Sequence, residues 1–105
     1  TTDDAIARAV RAGVRTIDHG DEASDSTLAL MKRQGAALCP TLAAGDAVSQ
    51  YRGWRKGTDP EPARIAAKRA AMRRALRSGV TICNGSDVGV FAHGDNAREL
   101  ELLVD

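Results

Sequence analysis

The chain predicts an α/β fold built on a parallel sheet, and three observations predict it. Helical and strand-like apolar patterns alternate along its 105 residues. A glycine that stops a helix stands directly before a strand start at Ala12-Gly13-Val14, at Ser78-Gly79-Val80 and, more loosely, at Gln34-Gly35-Ala36. Two of the strand-like runs close on a lone polar side chain, His19 in the first and Asp87 in the third. Repeated α-to-β turns of this kind give strands that run one way, joined by right-handed crossovers. Parallel strands need cover on both faces. Three of them therefore suit a portion of a larger open sheet or of an eight-stranded barrel.

Residues 3–12 place Ile6 and Val10 on one face, with Ala9 beside them and Arg8 and Arg11 turned away. This is an amphipathic helix with acidic residues in its first turn, closed by Gly13. Residues 14–19 read as the first strand. Asp25-Ser26-Thr27 opens a second helix that passes through Leu28, Leu30 and Met31 and stops at Gly35. Residues 36–42 read as the second strand, with Pro40 tolerated near its end. Residues 43–59 are less regular, with Gly45-Asp46 as the cap of a short helix through Tyr51. Asp59-Pro60-Glu61 signals another helix start. That helix is expected to reach Ser78 with Ile65, Met72 and Leu76 on its buried stripe, and the third strand begins at Val80. Asn96-Ala97-Arg98-Glu99 has capping-box spacing and opens a last helix through Leu100, Leu102 and Leu103.

Composition bounds the function. Hydrophobic content of 43% and charged content of 28% are ordinary for a globular domain, and the net charge of +1 supplies no field for nucleic acid or anionic membrane. The apolar residues are mostly Ala, Val, Leu and Ile, with one Trp, one Tyr and one Phe. Such a core suits helices packed closely on a sheet, although each Ala buries little area. No apolar run approaches membrane-spanning length. Cys39 and Cys83 each sit inside an apolar run and read as buried free thiols, which sets a cytoplasmic location as the default. The basic run Lys68, Arg69, Arg73, Arg74 and Arg77 reads as the solvated face of its helix.

The chemistry-bearing residues are His19 and Asp87. Both would emerge at the carboxyl end of one parallel sheet, where α/β folds build their sites. The glycines on either side of Ser86-Asp87-Val88 let the backbone bend sharply and push the carboxylate out over the sheet. An imidazole and a carboxylate converging there suit a metal site, or a base with its partner.

Four segments in order carry a resemblance to a family: Arg-Ala-Gly-Val-Arg-Thr-Ile-Asp-His-Gly (11–20), Leu-Cys-Pro-Thr-Leu (38–42), Asn-Gly-Ser-Asp-Val-Gly (84–89) and His-Gly-Asp-Asn-Ala-Arg-Glu (93–99). Together they resemble the amidohydrolase superfamily, nearest its imidazolonepropionase-like and prolidase-like metal-dependent hydrolases. The resemblance implies a metal-bearing (β/α)8 barrel of which residues 1–105 form strands six to eight, the C-terminal segment. It implies that His19 is a metal ligand. It implies that Asp87 is both a metal ligand and the catalytic general acid and base. The implied cofactor is a divalent metal, zinc by preference, with one or two ions in the full-length protein. The implied reaction is hydrolysis of an amide or other C–N bond in a small-molecule substrate, a cyclic amide or an acyl-amino-acid or dipeptide. A homo-oligomer of the full-length protein is compatible with it.

Within these 105 residues the family's His-x-His pair, its strand-four ligand and its strand-five His are absent. Lys32 and Lys68 fall on helices and Lys56 in a loop, so none replaces the strand-four ligand. Two ligands do not hold a catalytic zinc, which takes three protein ligands and a water. The segment alone is therefore expected to be inactive and marginally stable. His93, Tyr51 and Trp54 follow strand ends and are candidate substrate-binding residues, with Phe91 in the same position. The competing reading is a non-catalytic α/β binding module in which His19 and Asp87 are structural.

Overall fold

The computed structural model describes residues 2–104. Helix α1 (Asp3–Arg11) leads to strand β1 (Thr16–Asp18), helix α2 (Asp25–Gln34) to β2 (Ala37–Cys39), and helices α3 (Leu42–Tyr51) and α4 (Ala63–Ser78) to β3 (Thr81–Ile82). A single 3₁₀ turn (Asp95–Ala97) then runs into α5 (Arg98–Val104). The three strands pair in the order β1-β2-β3, all parallel, with Ile17 beside Leu38 and Leu38 beside Ile82. The α/β class and the parallel order therefore match the expectation from the glycine-terminated helices.

The helices form where their ends are satisfied. Thr2 and Ser24 cap α1 and α2 by accepting from Ala5 N and Thr27 N. Helices α2 and α4 end on Gly35 and Gly79 in the left-handed region. Asp3 Oδ1 also accepts from Ser24 N at 2.8 Å, tying the start of α1 to the start of α2. That bond, and a second from the Thr27 hydroxyl, hold the Asp3 carboxyl below its ordinary value. The core gathers Ile6 and Val10 of α1, Leu28 and Met31 of α2, Ile17 and Leu38 of the sheet, and Ala75 and Val80. Each large apolar side chain there contributes about 1.5–3 kcal/mol by leaving water. Alanines at 23, 36 and 75, each at most 2% exposed, let the helices approach the sheet closely.

Gly20 shows how the first strand is turned. Its φ of +62° follows the +68° of His19, and a Cβ at Gly20 would run into the buried side chain of Leu38. Only glycine allows the chain to bend back beneath His19 at this point.

Several expectations are corrected. The strands are shorter than their apolar runs, with β1 covering Thr16–Asp18 of residues 14–19, β2 Ala37–Cys39 of residues 36–42, and β3 only Thr81–Ile82. Helix α3 starts at Leu42, so Asp46 is a buried residue inside it rather than its cap. Asp59 does not open α4; it closes a loop by accepting from Arg55 N at 2.8 Å and Arg55 Nη2 at 2.8 Å. Those bonds hold its carboxyl below the ordinary value. Asn96 does not cap α5 either, since its Oδ1 accepts from Gly94 N. Cys39 and Cys83 are not free thiols but a disulfide between neighbouring strands, with Cα atoms 4.7 Å apart. This removes the argument from cysteine usage to a reducing compartment. Lys68 does not lie on a solvated face: it is 7% exposed, whereas Leu76, expected inside, is 56% exposed. The stripe of α4 is rotated, so that Lys68, Met72 and Ala75 point inward. Among the described residues no helix is long and apolar enough to cross a membrane.

Candidate metal centre

Beyond the carboxyl ends of the three strands, three residues other than glycine hold a left-handed backbone: His19 (φ 68°), Thr41 (φ 49°) and Asp87 (φ 57°). They are the described residues of the chain, glycine aside, with positive φ. His19 follows β1 directly, Thr41 follows β2 after Pro40, and Asp87 follows β3 after the 83–86 segment. Each such residue costs about 1–3 kcal/mol and persists only where its surroundings enforce it. A β-branched threonine there is the least expected of the three. The strain is concentrated at one end of one sheet, and it aims three polar side chains at one another.

The sheet sets their spacing. His19 N donates to Cys39 O at 2.9 Å and Cys83 N to Leu38 O at 2.8 Å, so the ladder continues one residue past β1 and past β3. The Cys39–Cys83 disulfide joins the strand that leads to Thr41 with the strand that leads to Asp87. Gly85 passes close over Cys39, where a Cβ would lie 3.6 Å from that of the cysteine. The loop then turns back and presents Asp87 to His19.

His19 Nε2 stands 3.9 Å from Asp87 Oδ2, and both side chains are roughly half exposed. On its other edge the ring meets Thr41, with Nδ1 2.6 Å from Oγ1. Thr41 is 3% exposed, and its hydroxyl donates to Pro40 O at 2.7 Å. Asp18, His19, Thr41, Gly85 and Asp87 line a cavity of about 120 Å³. A wider cleft of about 280 Å³ shares His19, Thr41 and Asp87 and extends to Asp21, Arg64 and Lys68. Its wall carries an ion pair between the buried Lys68 and the partly exposed Asp21, Nζ to Oδ1 at 2.7 Å and to Oδ2 at 3.0 Å. The lysine stem lies over Gly45, where a Cβ would come within 2.9 Å of Lys68 Cδ.

The donor set fits part of a metal site. Two donors on adjacent corners of a tetrahedral zinc centre, each about 2.0–2.2 Å from the ion, stand about 3.3–3.6 Å apart. The 3.9 Å between Nε2 and Oδ2 is within a few tenths of an ångström of that, and too long for a hydrogen bond. A catalytic zinc needs a third protein ligand. Among the described residues no cluster of three or more His, Cys, Asp and Glu side chains supplies one.

The other candidates lie elsewhere. Tyr51 is 70% exposed and, with Phe91, lines a separate cleft of about 550 Å³ between α3 and the start of α5. Trp54 lines a small cavity with Asp46, Lys56 and Lys68, and its indole Nε1 is buried without a partner among the described residues. His93 is exposed on the segment before the 3₁₀ turn. None of these three residues lines the cavity that holds His19 and Asp87. Thr41 and the Lys68–Asp21 pair were missed by sequence reasoning. A proline just before a threonine and a new helix was the available sign that β2 ends early.

No protein-family model matches the chain. Uncharacterized proteins of Mycobacterium bovis and Mycobacterium tuberculosis are 34% identical to it over 110 residues. The match takes in 97% of this chain, which spans 29% of the length of those curated relatives. Among solved structures, a Xaa-Pro dipeptidase with methionine bound in its active site superposes with a TM-score of 0.77 at 31% identity. An amidohydrolase superposes with a TM-score of 0.70 at 32% identity. Each match covers 97% of this chain and 26% of the solved one. An uncharacterized protein superposes with a TM-score of 0.67 at 37% identity, over 82% of this chain and 22% of its own. The chain thus has the architecture of about a quarter of an amidohydrolase-like fold.

Proposed function

We propose that this chain is part of a (β/α)8-barrel metal-dependent hydrolase that cleaves amide or related C–N bonds, with His19 and Asp87 as two ligands of one divalent metal. The observation that carries the reading is the convergence of an imidazole and a carboxylate at 3.9 Å, on strained backbone, at the carboxyl end of a parallel sheet. The likeness to a dipeptidase and an amidohydrolase supports it. Because the chain spans 29% of its curated relatives, the remaining ligands are assigned to the rest of the barrel.

Zinc suits a nitrogen and oxygen donor set, and when bound it would make hydroxide available near neutrality. The residues of this chain have separate tasks. Asp87 stands at the cavity mouth, accessible to solvent, and takes the proton of the attacking water before passing it to the leaving amine. His19, held on its far edge by Thr41, keeps the opposite side of the site fixed. Arg64 lies exposed on the cleft wall, and no ion pair to it is found among the described residues. A guanidinium there suits the carboxylate of an acyl-amino-acid or dipeptide. The nearby lysine is already neutralised by Asp21.

The test is metal content and hydrolysis of N-acyl-amino-acids and dipeptides by the full-length protein and its His19→Ala and Asp87→Asn variants. Asp87→Asn is expected to lose roughly 10³-fold or more in kcat, the scale of a lost general base and metal ligand together. His19→Ala is expected to lose bound metal. Unchanged metal content and turnover in both would make this an α/β binding module instead.

A further inference from the structure

We propose that Thr41 is a positioning residue that fixes the tautomer of His19, holding the ring proton on Nδ1 so that Nε2 presents its lone pair toward Asp87. The assignment deepens the metal-site reading, since a neutral imidazole binds a metal through an unprotonated nitrogen.

A hydroxyl has one proton to give. Thr41 Oγ1 lies 2.7 Å from Pro40 O, and a carbonyl oxygen only accepts, so the hydroxyl proton is committed there. The contact of 2.6 Å between Oγ1 and His19 Nδ1 then needs its proton from the ring. Nδ1 is the donor, and in the neutral imidazole Nε2 has none. Nε2 is also the atom that faces Asp87, at a distance beyond hydrogen-bond range.

The threonine is built into this role at some cost. It sits at the N-cap of α3, where its hydroxyl would ordinarily bond to the helix, yet it makes no capping bond. Its left-handed backbone swings the hydroxyl toward His19 instead. The helix is capped from elsewhere: the Glu99 carboxylate, fully buried, accepts from Leu42 N at 2.9 Å and Ala43 N at 2.7 Å. The cap has been reassigned to α5, and Thr41 has been released to the imidazole.

The ring ¹⁵N resonances of His19, in metal-free protein at a pH above the usual histidine range, read the tautomer directly, and His19→Gln assigns them. The wild type and Thr41→Ser are expected to show the Nδ1–H form. Thr41→Val, which removes the acceptor at similar volume, is expected to shift the tautomer ratio roughly tenfold toward Nε2–H, the size of effect one hydrogen bond produces. A wild-type ring carrying its proton on Nε2, or a folded Thr41→Val protein with the wild-type ratio, overturns the assignment. If Thr41→Val does not fold, the wild-type spectrum still decides. The readout is independent of metal. A protein with the Nδ1–H ring that binds no zinc would end the hydrolase reading while leaving the Thr41 assignment standing.

Discussion

Glu99→Ala is expected to lower the unfolding free energy by about 3–5 kcal/mol, which would leave little of the stability a small domain has. Glu99 is 0% exposed, and both its oxygens are occupied by amides in the first turn of α3. Hydrogen bonds to a charged acceptor contribute about 1.5–3 kcal/mol each, and the amides they leave behind, in residues at most 8% exposed, have no water to turn to. The positive end of the α3 dipole adds to the attraction. Chemical denaturation measures the loss. Glu99→Gln keeps one acceptor and should recover part of it, whereas Glu99→Asp is too short to reach both amides. A Glu99→Ala protein with a wild-type denaturation midpoint would show that α3 is capped in some other way. The consequence reaches the site, because the amides that Glu99 holds belong to the residues immediately after Thr41.

The second large effect is expected on breaking the disulfide. Cys39 and Cys83 are 44 residues apart in sequence, and closing a loop of that size removes about 4 kcal/mol of conformational freedom from the unfolded chain. For a domain of this size that corresponds to roughly 15 °C or more in melting temperature. A Cys39→Ala, Cys83→Ala double variant should melt that much lower and be indifferent to reductant. The wild type should fall toward it when reduced. Melting temperatures that agree with and without reductant in the wild type would mean the two sulfurs are not bonded. The bridge is also the covalent tie between the strand that leads to Thr41 and the strand that leads to Asp87, so its loss is expected to loosen the cavity as well as the fold.

The general architecture was legible because it rests on local signals. A glycine after an amphipathic run ends a helix whatever surrounds it, and Gly35 and Gly79 do so here. His19 and Asp87 stand out in combination, since each closes a strand-like run at the same end of one parallel sheet and each falls in a segment that resembles one family. What sequence reasoning missed depends on tertiary placement. Thr41 read as strand because threonine favours extended backbone, and nothing local announces the left-handed turn that the site imposes. Glu99 read as half of a capping box, whereas its carboxylate crosses to a different helix. The cysteines read as free because a separation of 44 residues carries no register by itself. A clue was nonetheless present, since each cysteine follows its helix-stopping glycine, Gly35 or Gly79, by the same number of residues. Equal offsets in parallel strands place side chains opposite one another. Lys68 read as solvated because a basic run on a helix usually is. Its burial depends on Asp21, from a loop far away in the chain.

The most direct test of the shared metal site is anomalous diffraction at the zinc edge from crystals of the full-length protein grown with zinc. A peak about 2.0–2.2 Å from both His19 Nε2 and Asp87 Oδ2 is expected. A zinc peak held by other side chains with either of these atoms outside coordination distance, or no peak at saturating zinc, would contradict it.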